Sequence, residues 1–280
     1  MNDNKVAVVG LGVIGLKLVE YLSLQGYSIV AYNWRNIEAK RAQFQLNIDK
    51  KVKYEKVSME VLEQVKRRIQ FTDKLDDIKD CELVIDSTKE IYAVKQELYA
   101  SLLKVMGKQS VLATTTSSLS LQRLAGYFDK NRFVGMHFFN PPTKMKLIEL
   151  SFLDSSNMSL QNSVYRFLRT LSDKKVVELP PIQGYIVNRL LFIYINAAIS
   201  FMEETGLPAQ NIDEAMRSGT NVPMGPLELS DYIGNDVTLD ILNEFYSSLK
   251  DERYKPPAPL VQMVKDGKLG KKVKAGFYNY

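Results

Sequence analysis

Short apolar runs alternate with longer amphipathic stretches through the first part of the chain, and the alternation then stops. Lys5–Val9 (KVAVV) is a β-branched run ending at Gly10, the pattern of a strand buried on both faces. Residues 16–24 have helical spacing and close at Gly26, and Ser28–Tyr32 (SIVAY) reads as a second strand. This is a strand–helix–strand unit of the length a parallel crossover needs. Residues 37–69 read as mainly helical. Further strands are predicted at 82–86 (ELVID), 110–114 (SVLAT), 133–138, 146–150 and 175–178, with helical segments near 90–105, 119–127 and 158–172.

Beyond Gly184 the strand signals vanish, and helical periods run to about Leu249. The pattern predicts an α/β fold: a Rossmann-like, doubly wound, mostly parallel sheet followed by an all-helical C-terminal domain. The expected boundary puts a dinucleotide-binding domain at 1–182 and a helical substrate and dimerisation domain at 183–280.

Composition narrows the class. The 280 residues are 45% hydrophobic and 25% charged, as in an ordinary folded protein, with nothing low-complexity. One cysteine, Cys81, excludes an intrachain disulfide and fits a reducing compartment. The start MNDNKVAVVG lacks a basic segment followed by an apolar one, so no signal peptide is expected. The most apolar long stretch, Tyr185 to Met202, carries Asn188, Arg189 and Asn196 and reads as a buried helix, not a membrane span. A cytoplasmic protein without a membrane partner is expected.

Charge adds a candidate surface. Between Lys40 and Arg68 nine Lys/Arg face four acids, an excess equal to the whole chain's +5. Such a run is either a solvated helical face or a docking surface for a phosphate-bearing ligand, with Lys50 and Lys53 as candidate contacts. No aromatic-interleaved basic motif points to nucleic acid, and no metal-ligating set is expected.

Two constellations carry chemistry. Gly10-Leu11-Gly12-Val13-Ile14-Gly15 is a G-x-G-x-x-G that follows a strand and opens a helix, the context a dinucleotide pyrophosphate requires. Where the second strand ends, an acid usually binds the adenosine ribose. Here Asn33 stands, followed by Trp34 and Arg35; Arg35 could pair with a 2′-phosphate, which tilts the choice of NAD or NADP towards NADP. His137 is the chain's one histidine, and on an apolar strand a lone histidine is ordinarily structural. If its strand pairs antiparallel with residues 146–150 about a centre near Thr143, His137 faces Glu149. A carboxylate there fixes the imidazole tautomer and makes a general base.

The string Phe133 to Glu149 (FVGMHFFNPPTKMKLIE) strongly resembles the catalytic segment of L-3-hydroxyacyl-CoA and 3-hydroxybutyryl-CoA dehydrogenases. The likeness covers nearly the whole chain: VAVVGLGVIG, TTTSSL at 114–119, GYIVNRLL at 184–191, VPMGPLELSDYIG at 222–234 and GKLGKKVKAGFYNY at 267–280, in family order. It implies reversible NAD(P)-dependent oxidation of an L-3-hydroxyacyl thioester. His137 would be the base and Glu149 its partner, with Ser117 and Asn188 hydrogen-bonding the substrate oxygen. Glu90 and Lys95 would lie on the cofactor side, the basic helices would contact coenzyme A, and the helical domain would form a homodimer.

Departures from the family pattern include Asn33 for the usual Asp, Asp86 for Glu, Thr115 for Asn, and Pro142-Thr143-Lys144 in the loop after His137. These leave open the same chemistry on a carrier-protein-bound or free hydroxy acid. A non-catalytic dinucleotide-binding protein is the alternative of another class.

Overall fold

The computed structural model describes residues 5–55, 58–154 and 157–280, with residues 51–55 described in backbone only. The chain divides into two compact units, Met1–Ile182 and Gln183–Tyr280.

The first unit is a sheet with helices. Its strands are β1 (Lys5–Val9), β2 (Ser28–Tyr32), β3 (Ile69–Thr72), β4 (Leu83–Asp86), β5 (Val111–Thr114), β6 (Phe133–Phe138), β7 (Leu147–Phe152) and β8 (Lys175–Glu178). Its helices are α1 (Val13–Leu24), α2 (Ile37–Glu55), α3 (Met59–Arg67), α4 (Tyr92–Val105), α5 (Leu121–Ala125) and α6 (Met158–Arg169). The strand order is β3-β2-β1-β4-β5-β6-β7-β8. All neighbours are parallel except β6 and β7, which run antiparallel.

This is the doubly wound, mostly parallel sheet that the hydrophobic pattern predicts, with one strand more. Residues 37–69 read as helix throughout, yet Ile69–Thr72 pairs with β2 as the edge strand β3. Its four residues are too short to show alternation, and the helical spacing of α3 before them dominates any window. The central strands need no alternation because both faces are covered: Ala7, Val8, Val30, Val84, Ile85, Leu112 and Ala113 are inaccessible to solvent. Helix α1 buries Leu18, Val19 and Leu22 against them. By contrast α2 buries Phe44 and Ile48, one turn apart, and leaves Lys50 exposed.

The order reverses direction between β1 and β4, the switch point outside which open α/β sheets bind ligands at the carboxyl ends of the strands. Gly10 follows β1 at that edge, Asp86 ends β4, and Thr114 ends β5. His137 lies one residue before the end of β6, and the antiparallel β7 begins there.

The second unit holds α7 (Val187–Thr205), α8 (Ala209–Thr220), α9 (Pro226–Ile233), α10 (Asn235–Leu249) and α11 (Ala258–Lys265). Phe192, Ile195, Ile199, Leu227, Leu242, Phe245, Tyr254 and Leu260 form its core. Two buried carboxylates fasten the chain's end to it. Asp231 accepts from the backbone N–H of Phe277 and Tyr278, and Asp213 from those of Leu227 and Glu228 and from the Tyr278 hydroxyl. Among the described residues no helix is long and apolar enough to cross a membrane.

Candidate active site

The glycine loop has the shape a diphosphate needs. Gly10 is left-handed (φ 90°), and a Cβ there would sit 2.8 Å from Thr88 on the neighbouring β4 loop. A Cβ on Gly15 would come within 1.9 Å of the Gly10 carbonyl, so only glycine lets α1 approach β1 this closely. Gly12 differs: a Cβ there meets nothing within 4 Å. It caps α1 without a side-chain hydrogen bond, and Val13 beside it is 70% exposed. The space over Gly12 and the amide end of α1 therefore fit a dinucleotide's phosphates, which Gly10, Gly12, Val13, Ile14 and Gly15 would hold.

At the end of β2 the Asn33 side chain is turned onto backbone. Its Oδ1 accepts from the Leu11 N–H (2.9 Å), and its Nδ2 donates to the Arg35 carbonyl (2.5 Å). Asn33 thus ties the turn after β2 to the glycine loop.

His137 and Glu149 occupy paired positions of the antiparallel β6–β7 ladder. Nδ1 of His137 lies 2.8 Å from Oε2 of Glu149, and the residues are 4% and 1% exposed. Phe139 packs against the imidazole, ring centroids 4.6 Å apart. The bond engages Nδ1 of the imidazole. Burial removes competing water and strengthens the pairing.

Ser117 follows β5 on a loop organised by Glu90. One oxygen of Glu90, Oε1, accepts from the Thr116 hydroxyl (2.6 Å), the Ser117 N–H (2.5 Å) and the Ser118 N–H (2.7 Å), with the Ser118 hydroxyl at 3.3 Å. Successive backbone amides converge on a carboxylate, and Ser117 is held on an anion-binding turn.

Two family descriptions cover the chain: the NAD binding domain of 3-hydroxyacyl-CoA dehydrogenase matches residues 5–181, and the C-terminal domain of the same enzymes matches residues 184–280. The chain belongs to the 3-hydroxyacyl-CoA dehydrogenase family. It is 35% identical to a 3-hydroxybutyryl-CoA dehydrogenase of Bradyrhizobium diazoefficiens, over 99% of this chain and 95% of that one. Among solved structures, M. tuberculosis FadB2 superposes with a TM-score of 0.93 at 32% identity, covering 99% of both chains. The (S)-3-hydroxybutyryl-CoA dehydrogenase PaaH1 from Ralstonia eutropha does so with a TM-score of 0.91 at 30% identity, covering 100% of this chain and 99% of that one. The protein is thus an oxidoreductase with an NAD-binding half, and the non-catalytic alternative falls away.

The remaining site candidates of this dehydrogenase stand at different places. Lys95 is wholly buried in α4, its ammonium 2.7 Å from Oδ2 of Asp86. Asp86 also accepts from the Tyr99 hydroxyl and from the Thr88 N–H and hydroxyl. Burial alone would push the Asp86 carboxyl up, but Lys95 and these hydrogen bonds hold it below the usual carboxylate range. Burial and the facing Asp86 carboxylate push the Tyr99 hydroxyl well above its ordinary value. Lys95 thus reaches the β4 loop beside Gly10 only through Asp86 and the Thr88 carbonyl (3.5 Å). Asn188 lies on the first turn of α7 in the second unit. Lys50 is exposed on α2, and the Lys53 side chain lies outside the described residues.

One residue gave no signal in the sequence. The Lys174 ammonium donates to the carbonyls of Pro142 (2.6 Å) and Met145 (3.0 Å) and to Asp173 (2.8 Å), with the Tyr21 ring 4.0 Å away. It clamps the loop between β6 and β7 from outside. A lysine before a short strand carries no mark of such a role; the contacts span about thirty residues of chain.

Proposed function

We propose that this dehydrogenase reversibly oxidises an L-3-hydroxyacyl-CoA to the 3-oxoacyl-CoA, with His137 as the base. The observation that carries this reading is the buried Nδ1–Oε2 bond between His137 and Glu149. Nε2 takes the proton of the 3-hydroxyl as hydride leaves the same carbon, and Glu149 stabilises the imidazolium that forms. In the reverse direction Nε2 returns that proton to the oxygen. The bound nicotinamide supplies the hydride acceptor.

Ser117, set by Glu90, polarises the carbonyl oxygen as it forms. The relatives named 3-hydroxybutyryl-CoA dehydrogenase support a short acyl chain. The excess of basic residues around α2, with Lys50 exposed, supports a seat for the phosphates of coenzyme A. Asn33 puts no negative charge at the adenosine ribose, so the site admits NADP as well as NAD.

Helix α7 supports a homodimer. Ile186, Leu190, Ile193, Ala197 and Phe201 recur at helical spacing, and Leu190 and Phe201 are 65% and 48% exposed. An apolar stripe of this kind is an interface signature. A cytoplasmic setting fits the lone buried thiol of Cys81, which burial raises to about 11.

The deciding measurement is nicotinamide absorbance with acetoacetyl-CoA, the same acyl group on a carrier protein, and free acetoacetate. Turnover of the CoA ester in preference to the others is expected. No turnover of any CoA ester overturns the reading.

A further inference from the structure

The turn after β2 carries an inference about which dinucleotide the site selects. The Asn33 amide is used at both ends, accepting from Leu11 N–H and donating to the Arg35 carbonyl. An aspartate could accept from Leu11, but an ionised carboxylate has no proton to donate to Arg35. The amide therefore does more than remove a negative charge; it builds the turn. Asn36 completes it in the left-handed region (φ 55°), and its carbonyl accepts from the Lys40 N–H to open α2.

This turn sets Trp34 and Arg35 out at the mouth of the cofactor cleft. Trp34 is 64% exposed, an unusual position for a large aromatic ring, and the Arg35 guanidinium lies over it, 4.5 Å from the ring centroid. Among the described residues no carboxylate pairs with Arg35, and the nearest acid along the chain, Glu38, pairs with Arg41 (3.6 Å). A guanidinium stacked on an indole is already ordered, keeps its N–H edge for a ligand, and loses less freedom on binding. It sits two residues past the position that reads the ribose 2′-substituent. A 2′-phosphate adds close to two negative charges and accepts bidentate hydrogen bonds from such a fork. Position 33 itself offers a 2′-hydroxyl an amide, not a carboxylate.

We propose that the site selects the 2′-phosphorylated dinucleotide, NADP, through Arg35 held on Trp34 and the Asn33 turn. The inference rests on the glycine loop binding a dinucleotide, but not on the acyl substrate or on His137.

Calorimetric titration of the full-length protein with NADP+, NAD+ and adenosine 2′,5′-bisphosphate tests it without turnover. Emission from Trp34, the one tryptophan in the chain, gives a second readout. We expect NADP+ to bind at least about tenfold tighter than NAD+ and the bisphosphate to compete with it. Arg35→Ala should weaken NADP+ by about tenfold or more and leave NAD+ within about twofold. Asn33→Asp should reverse the order of preference. Equal or tighter binding of NAD+ by the wild type overturns the proposal, as does an Arg35→Ala effect equal on both dinucleotides. Binding of neither dinucleotide overturns the glycine-loop reading itself.

Discussion

Glu149 receives His137 across an antiparallel ladder, not from a loop, so the 2.8 Å contact between them inherits the rigidity of the sheet. Two strands that alternate perfectly place the pair on one face, and a slip of one residue would turn Glu149 to the other. The first prediction follows from this. His137→Asn should reduce kcat by about 10²- to 10⁴-fold and leave dinucleotide binding intact. Glu149→Gln should cost a similar factor by removing the charge that stabilises the imidazolium. Steady-state absorbance kinetics with parallel calorimetry checks both. Retention of wild-type kcat by His137→Asn removes it as the base.

Glu90 gathers four donors on one oxygen. Replacement by alanine removes the one oxygen that the Ser117 and Ser118 amides share as acceptor. We expect Glu90→Ala to lower kcat by about 10- to 100-fold with a smaller change in KM, since ground-state binding depends less on that hydroxyl than the transition state does. Hydrogen exchange at residues 116–118 should accelerate in the same variant. Unchanged exchange there would show that the carboxylate does not hold the loop.

The two glycines of the loop should fail in different ways. Gly15→Val cannot be built without moving the Gly10 carbonyl, so loss of stability is expected in thermal melts. Gly12→Val meets only open space in the fold. It should melt close to the wild type and lose dinucleotide affinity, as measured by calorimetry.

Lys95→Met strands the Asp86 carboxylate in the interior. Breaking such a pair costs about 3–5 kcal/mol. The pH dependence has a definite sign. Lys95 holds the Asp86 carboxyl below its unfolded value of about 3.9, so its contribution is fully present above that pH. It is lost as pH falls through the folded value. Melting temperatures from pH 7 to pH 3 should therefore show a gap between wild type and variant that is widest at neutrality and narrows in acid. A constant gap would mean that the pair's charge is not what stabilises it.

Leu190→Asp with Phe201→Asp should yield a folded monomer by analytical ultracentrifugation if the exposed stripe of α7 is an interface. A wild type that sediments as a monomer would dispose of the dimer.

Much of the site was legible along the chain because its parts are local. The glycine loop lies within six residues, and the His137–Glu149 register follows from pairing two neighbouring strands about a centre near Thr143. What stayed hidden was either too short or too distant. β3 has four residues directly after helix α3, below the length at which period-two alternation separates from helix. Glu90 is nearly thirty residues from the amides it collects, and Lys174 as far from the carbonyls it clamps. Asn33 could be read as the absence of an acid, but its two backbone bonds depend on where Leu11 and Arg35 come to lie.

The Lys174 clamp has a practical side. It grips backbone carbonyls at Pro142 and Met145, while the side chains of Lys144 and Met145 are exposed. A loop secured by its main chain tolerates new side chains without losing its course. Residues 143–145 can thus be diversified while the loop, and with it the β6–β7 register that pairs His137 with Glu149, keeps its course.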